Sequence, residues 1–296
     1  MSEKSTLFDQ SYQEWHGKLQ PHPLRVVAIV LQGVKNTWRR SPLGISLLGG
    51  FAILLSLPNA FLGLMMPGMT DPAFNISAAL SGSLTWTYLL MIPMVGSGLI
   101  ASDVKHNALL MYFSKSIVRA DYVAGKILTA AAFLALPLLL APMLAVGISI
   151  YGLGTAATNA YSIRLFLGLL VCVPIALLPG IAIIMAFSSC TRRTFLAGVG
   201  WVVLYLVLET VSAILTNAAK LPWGYLVSIS NNVFRLTNAI LPSPPPEMKV
   251  PPMPPEMSAA ARLSLSAWYS AGILGGLVAI GIGIVIWRLS NTERRS

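Results

Sequence analysis

The sequence predicts an all-α integral membrane protein, and its composition and apolar runs carry that prediction. Of the 296 residues, 55% are hydrophobic and only 10% are charged, whereas soluble domains carry about 25% charged residues. Six apolar runs approach the roughly 20 residues that an α-helix needs to cross about 30 Å of hydrocarbon. These runs lack the short dyad alternation of membrane β-strands. We therefore predict six transmembrane helices.

The six predicted spans make up a single transmembrane domain, residues 42–287. They cover residues 43–66, 84–101, 127–151, 165–187, 195–216 and 267–287. Residues 1–23 are polar and have no apolar core of signal-peptide length, so we expect a cytoplasmic tail followed by an uncleaved first span. Residues 288–296 form a second short tail. Because six is an even number, both tails are expected on one side of the membrane.

The distribution of Lys and Arg predicts which side that is. Fifteen of the twenty lie in the tails or in connections on the same side as the tails. The other five lie on the opposite side: Arg164, Lys220, Arg235, Lys249 and Arg262. By the positive-inside rule, both termini are predicted to be cytoplasmic. This topology, together with attraction to anionic membrane lipids, accounts for the net charge of +10 without a nucleic-acid partner.

Residues 24–41, ahead of the first span, are predicted to form an interfacial amphipathic helix. Its apolar face comprises Leu24, Val27, Leu31, Val34 and Trp38, and its polar face Arg25, Gln32, Lys35 and Arg39. Such a helix lies in the membrane interface with its tryptophan near the headgroups and its cations towards water. Alternatively, these basic residues serve only to orient the first span.

A long outer loop, residues 217–266, is predicted before the sixth span. Its residues 221–240 are too few and too polar to cross the membrane, so we expect them on the surface or dipping partway in as a re-entrant segment. Residues 241–257 contain eight prolines, a composition that favours extended polyproline II. This Pro-rich stretch is either a stiff strap that closes the loop or a docking segment for an extracytoplasmic partner.

The sequence predicts no catalytic, cofactor-binding or metal-binding residues. Its histidines, His16, His22 and His106, are isolated from both cysteines. Gly125 and Lys126 superficially match the end of a phosphate-binding loop, but the earlier glycine, the following Ser or Thr and the preceding strand are missing. We therefore expect no ATP site and no paired catalytic groups in this chain.

Glu209 is the only acid inside a predicted span. An intramembrane carboxylate is costly and by default indicates a pathway or a relay. Glu209 is therefore either a candidate for a translocation path or a group that closes a contact between helices. The predicted spans contain no second acid or histidine to serve as a relay partner, which argues against a proton-coupled carrier.

The connection between spans two and three is unusually polar for this chain. Residues 99–126 place six charged side chains and a histidine between two apolar runs. Asp103 begins a helix-competent stretch, and residues 108–113 form a bulky apolar block with charges on both sides. Such a block, held against the membrane face, is a surface to which another protein can bind.

Residues 103–126 resemble the corresponding loop of ABC-2 type permeases, the membrane subunits of ABC transporters. The matching residues are Asp103, Lys105, Ala108, Leu109, Tyr112, Phe113, Ser114, Lys115, Arg119, Asp121, Tyr122, Gly125 and Lys126. Asn107 and Ser116 stand where the family usually has glycine and proline, which leaves the local turn geometry open. The match covers about 25 residues. The helix before span one, the six spans and the long outer loop agree with it.

The resemblance implies a cytoplasmic coupling helix that sits in a groove of a separate ATPase subunit. Its contacts would come from Asp103, Lys105, Ala108, Leu109, Tyr112, Phe113, Lys115 and Arg119. An ATPase dimer would bind ATP and Mg, and a second permease copy would complete the translocation path in the bacterial cytoplasmic (inner) membrane. Since the family mostly exports, we expect an exporter. The alternatives are a mechanotransmitting permease that acts on an outer partner and an ATP-independent secondary carrier.

Overall fold

The computed structural model describes residues 22–65, 72–106, 108, 118–153, 159–242 and 267–293, and every regular element within them is helical. The α-helices are α1 (His22–Arg40), α2 (Pro42–Met65), α3 (Pro72–Trp86), α4 (Ile92–Gly96), α5 (Ala101–Lys105), α6 (Arg119–Leu153), α7 (Asn159–Cys190), α8 (Thr194–Ala213), α9 (Ile229–Ile240) and α10 (Ala267–Glu293). The π-helical turns Thr87–Met91 and Ile214–Ala218 continue α3 and α8, and a 3-10 helix, Pro222–Val227, precedes α9. The predicted all-α class is confirmed.

Among the described residues, five helical stretches are long and apolar enough to cross a membrane. They are Ala73–Lys105, Arg119–Ile148, Ala160–Cys190, Thr194–Ala218 and Ala267–Asn291. Helices α1 and α2 meet at a 92° bend, and the number of candidate spans rises to six if this bent pair is counted as one. These lengths fit a multi-pass membrane protein. The count of six spans, the orientation and the bacterial inner membrane stay predictions.

The second candidate span begins earlier than the sequence predicts. A helical stretch runs from Ala73 to Lys105, whereas the apolar run begins at residue 84. Serines interrupt the apolar pattern before that point, but the Ser83 hydroxyl donates to the carbonyl of Ala79 at 2.7 Å. A serine satisfied by its own helix is compatible with a buried position. Residues 72–83, which the predicted spans leave as a connection, are therefore helical and form most of α3.

Helix α1 is amphipathic and packs against α6. The side chains of Val27 and Leu31 are 50% and 66% exposed. On the side that faces α6, Gly33 lies so close to Thr129 that a Cβ at this glycine would be 2.5 Å from the threonine hydroxyl oxygen. The contact with α6 explains why one side of α1 is covered. Its placement at a membrane interface stays a prediction.

Helix α7 is the centre of the bundle and packs against α4, α6, α8 and α10. Its fully buried stripe consists of Leu165, Leu169, Cys172 and Ala176. Pro174 and Pro179 lie inside this helix, and each proline lacks the N–H that would bond to the preceding turn. The core of the molecule therefore contains a helix whose hydrogen-bond ladder is incomplete.

The hydroxyl of Tyr88 enters the ladder of α7 beside Pro179. It donates to the carbonyl of Ala176 at 2.5 Å and accepts from the amide of Gly180 at 3.1 Å. These two backbone groups would pair directly in an undisturbed α-helix. An inserted side chain of this kind opens a helix locally while it keeps the backbone groups satisfied.

Helix α9 shows what the predicted re-entrant segment forms. It has 12 residues, about 18 Å at 1.5 Å per residue, which is too short to cross a bilayer. Ile229 and Val233 are fully buried, and Phe234 meets Phe74 of α3 edge to face at 5.5 Å between ring centroids. The segment therefore packs among the long helices. Residues 243–266, which include most of the Pro-rich stretch, lie outside the described residues.

Candidate functional site

Residues 99–126, the polar interruption between predicted spans two and three, are described on both sides of the apolar block at residues 108–113. Helix α5 ends at Lys105, which is exposed, and Ala108 is helical and half-buried. Arg119 begins α6. The other predicted ATPase contacts, Leu109, Tyr112, Phe113 and Lys115, lie outside the described residues. Their role stays a prediction.

A buried serine of α7 fixes the start of α5. The chain turns between α4 and α5, and this turn leaves backbone N–H groups without helical partners. The Ser188 hydroxyl accepts from the amides of Ile100 at 3.1 Å and Ala101 at 2.8 Å, and it donates to the carbonyl of Ser97 at 2.9 Å. All three hydrogen-bonding positions of the hydroxyl are used. Ser188 therefore ties α5 to α7.

The Asp103 cluster, formed by Asp103, Tyr122 and Lys126, ties α5 to α6. The same carboxylate oxygen of Asp103, Oδ2, lies 2.7 Å from Lys126 Nζ and accepts from the Tyr122 hydroxyl at 2.7 Å. The Lys126 ammonium also lies 5.4 Å from the centroid of the Tyr122 ring. The Asp103 and Lys126 side chains are only 15% and 10% exposed. Asp103 therefore pairs with the next long helix and not with Lys105.

Gly125 has a packing role between Tyr122 and Lys126 of the cluster. A Cβ at this position would lie 2.6 Å from Cγ2 of Ile29 on α1. A side chain here would push α1 away from α6. In the sequence Tyr122-x-x-Gly125-Lys126, the first and last residues therefore contact Asp103 of α5. The glycine between them allows α1 to pack closely against α6.

A cavity of about 1330 Å³ lies beside the cluster, between α1, α2, α4, α5 and α8. Asp103 and Lys105 of α5 line it together with Arg192 and Arg193 of the connection between α7 and α8, and these four residues define its mouth. Apolar residues of α2, α4 and α8 also line it, as do the polar residues Gln32, Asn36 and Thr37 of α1. Arg192 and Arg193 are among the fifteen cations on the predicted cytoplasmic side, and no sequence pattern indicates that they line the same cavity as Asp103.

Glu209 joins α8 to the start of α9. Its Oε2 accepts from the Ser228 hydroxyl at 2.7 Å, and its Oε1 accepts from the Ser230 amide at 3.1 Å. Ser228 also caps α9 by accepting from the Asn231 amide at 2.9 Å. A carboxylate at a helix N-terminus is favoured by the free amides and by the helix dipole. Glu209 is not among the residues that line the cavity, and a role in a translocation path stays a prediction.

Arg235 of α9 is a half-buried cation, and no sequence pattern indicates its surroundings. Both of its Nη atoms are buried and have no hydrogen-bond partner among the described residues, and Cζ lies 5.8 Å from the centroid of the Tyr225 ring. Burial lowers the pKa of the guanidinium, and the nearby Tyr225 opposes that shift. The guanidinium therefore occupies a position that stabilises it poorly.

Within the described ranges, no three His, Cys, Asp or Glu side chains come together to hold a metal ion. The groups with clear geometry at the polar interruption are instead the Asp103 cluster, Ser188 and the cations at the mouth of the cavity. They position helices and present charge; they do not form a nucleophile–base pair.

Comparisons with known proteins give no family for this chain. No protein-family model matches the sequence, and no curated protein matches it either. The functional interpretation therefore depends on the geometry around α5 and on the resemblance within residues 103–126.

Proposed function

We propose that this chain is the permease subunit of an ABC-2 type ABC transporter, coupled to a separate ATPase subunit. One observation carries the proposal: α5, at the end of a candidate span, is fixed to two long helices by polar contacts. Asp103 connects it to α6 and Ser188 connects it to α7. A displacement of the segment after α5 is therefore passed directly to both helices. The resemblance of residues 103–126 to the permease family supports this assignment.

The coupling proceeds through the polar interruption. Residues 108–113 bind a groove of the ATPase, and closure of the ATPase dimer around ATP moves this segment and α5 together. Helix α7 follows because Ser188 is bonded to the backbone of Ile100 and Ala101. The opened ladder at Tyr88 gives α7 a place to bend without leaving buried groups unpaired. The partner subunit binds ATP and Mg. This chain supplies the translocation path and the segment that binds the ATPase.

The chain works as a pair of permease copies in the bacterial inner membrane and exports its substrate. A secondary carrier that works alone is less well supported, because both oxygens of Glu209 accept hydrogen bonds from Ser228 and Ser230. A carboxylate engaged in this way stabilises the α8–α9 contact. Within the described part of the chain, no acid or histidine shares a hydrogen bond with it, whereas proton-coupled carriers use chains of such groups.

The test is purification of the tagged chain in mild detergent from its native membranes, with mass spectrometry and an ATPase assay. We expect a stoichiometric subunit with a phosphate-binding loop and vanadate-sensitive hydrolysis. Tyr112→Glu with Phe113→Glu should abolish its binding. The matched control, Trp268→Glu with Tyr269→Glu, changes an exposed aromatic pair of α10 and should retain it. A wild-type chain that purifies without such a subunit would contradict the proposed function, and normal binding by the first variant would contradict the coupling assignment.

A further inference from the structure

We propose, resting on the proposed function for orientation and transport, that the cavity beside α5 binds an amphiphile with an anionic, phosphate-bearing headgroup, and that such amphiphiles are the substrate class. The cavity has a volume of about 1330 Å³, above the roughly 300–1,000 Å³ of most small-molecule sites. Its mouth is charged, and most of its other lining residues are apolar. Charge, wall chemistry and depth each point to the same class of ligand.

The mouth of the cavity carries an excess of positive charge. Asp103 is the only acid among the described residues that line it, and Lys126 neutralises that carboxylate at 2.7 Å. Lys105, Arg192 and Arg193 also line the cavity and make no ion pair with any described residue. The consecutive residues Arg192 and Arg193 suit a phosphate, because arginine binds phosphate oxygens in a bidentate manner.

The walls deeper in the cavity suit acyl chains. Ile45 and Leu48 line the cavity from α2, and Phe195, Val199 and Val203 line it from α8. Phe195 is 77% exposed and Val203 is 55% exposed, so this wall is open at its side. A small soluble anion at the mouth would leave the apolar walls without a partner, whereas an acyl chain would cover them.

The lining of the cavity extends along α8 for about the thickness of one membrane leaflet. Arg193 precedes α8 at the charged mouth, and Val203 lies ten residues further along this helix. Ten residues of α-helix rise about 15 Å, which is half of the roughly 30 Å of hydrocarbon in a bilayer. A ligand that fills the cavity therefore has its charge at one membrane surface and its apolar part near the midplane, as a single lipid does.

The same charges argue against a transmembrane helix of a second permease copy as the occupant. An apolar helix packed into the cavity would cover Lys105, Arg192 and Arg193 without providing counter-charges. Desolvation of unpaired cations is unfavourable by several kcal/mol per ion. An anionic amphiphile satisfies both the cations and the apolar wall.

The first experiment measures lipid binding to the purified chain, together with any subunit that purifies with it. Phosphatidylglycerol and phosphatidylcholine with the same acyl chains are added in detergent, and native mass spectrometry counts the bound lipid. We expect a preference for phosphatidylglycerol. Arg192→Gln with Arg193→Gln should weaken its binding by about 30-fold, since each cation near a membrane surface contributes on the order of a fivefold gain in binding of anionic lipid.

The matched control is Lys35→Gln with Arg39→Gln. These two exposed cations of α1 do not line the cavity, so their removal should leave phosphatidylglycerol binding unchanged. An equal loss in both double variants would mean general attraction between a basic protein and anionic lipid. That result, or equal binding of the two lipids to the wild-type chain, overturns the proposal.

A second pair of variants tests the apolar wall. Val203→Trp fills the cavity, whereas Val207→Trp adds the same bulk one turn further along α8, on an exposed residue that does not line the cavity. We expect only Val203→Trp to lose phosphatidylglycerol, and we expect glycerol phosphate at equal concentration not to displace the lipid. If glycerol phosphate competes fully and Val203→Trp leaves lipid binding intact, the ligand is a soluble phosphate and the proposal is overturned.

The assignment as substrate has a separate readout. In nanodiscs that contain the ATPase subunit, phosphatidylglycerol should raise vanadate-sensitive hydrolysis for the wild-type chain and not for the Arg192→Gln, Arg193→Gln variant. Equal stimulation of both overturns it. Lipid binding is measured without nucleotide, so a missing ATPase partner defeats the proposed function and leaves the binding result standing, while a missing lipid preference leaves the ATPase result standing.

Discussion

At the scale of single residues, Asp103 is the charged group on which the position of α5 depends. One of its oxygens faces both Lys126 and Tyr122, and both partners lie on the next long helix. The sequence indicated that Asp103 belongs to a charged stretch. It did not indicate Lys126 as the partner, because two residues so far apart in the chain have no fixed spacing in space.

Asp103→Asn is expected to lower the free energy of unfolding by about 2 kcal/mol, because it leaves the Lys126 ammonium partly buried without a counter-charge. Lys105→Gln removes an exposed charge that makes no ion pair with any described residue, and it should change the unfolding free energy by less than about 0.5 kcal/mol. Thermal unfolding in detergent, followed by tryptophan fluorescence, measures both. Adding Lys126→Met to Asp103→Asn should recover part of the loss. Equal stability of the two single variants would contradict the ion pair.

Arg235→Met is expected to raise the free energy of unfolding by about 1 kcal/mol, since an apolar side chain of similar volume replaces a guanidinium whose buried Nη atoms have no hydrogen-bond partner among the described residues. The control is Arg164→Met, because Arg164 is an exposed cation near the start of α7. The same unfolding assay compares them. A clear loss of stability in Arg235→Met alone would contradict the poor stabilisation of this guanidinium.

At the scale of the helices, close contacts at glycines set the position of α1. Gly33→Ala should displace α1 from α6, because the new Cβ would lie 2.5 Å from the Thr129 hydroxyl oxygen and 2.9 Å from its Cγ2. We expect a loss of about 2 kcal/mol in unfolding free energy. Gly50→Ala meets no neighbouring atom within 4 Å and should be neutral or stabilising, as alanine favours helix. If the clash is the cause, Thr129→Ala restores the stability of Gly33→Ala.

A substitution at Glu209 tests whether this carboxylate stabilises the contact between α8 and α9 or takes part in transport. Glu209→Gln removes the charge at the N-terminus of α9 and retains one acceptor oxygen. We expect it to lower the unfolding free energy by about 1 kcal/mol while ATP-driven transport per folded molecule stays unchanged. Unfolding and vesicle transport are measured on the same preparation. Unchanged stability with lost transport would place this carboxylate on the translocation path.

At the scale of the whole molecule, the number of spans decides where the two ends lie. An even count places the tails on the same side, whereas five spans place them on opposite sides. We expect reporters fused to the N- and C-termini to report the same compartment, with α2 as the first span after the 92° bend. Ends in opposite compartments would mean that the bent pair of α1 and α2 does not cross the membrane.

Much of the helical architecture could be predicted from the sequence, because the hydrocarbon of a bilayer demands long apolar helices. The start of α3 could not be predicted, since Ser83 is a polar residue whose hydroxyl is hydrogen-bonded to the Ala79 carbonyl within the helix. The contacts of Ser188 and Tyr88 could not be predicted either. Helices that are apolar on all sides carry no periodic signal for which face meets which neighbour.

The insertion of the Tyr88 hydroxyl into α7 makes one amide proton a reporter on two helices. Gly180 N–H exchanges with solvent deuterium only when its bond to Tyr88 opens, and Tyr88 lies in the π-helical turn that continues α3. The isotope exchange rate at Gly180 therefore follows the separation of that turn from α7. A cycle that bends α7 at Pro179 would appear as a change in deuterium uptake at this single backbone position.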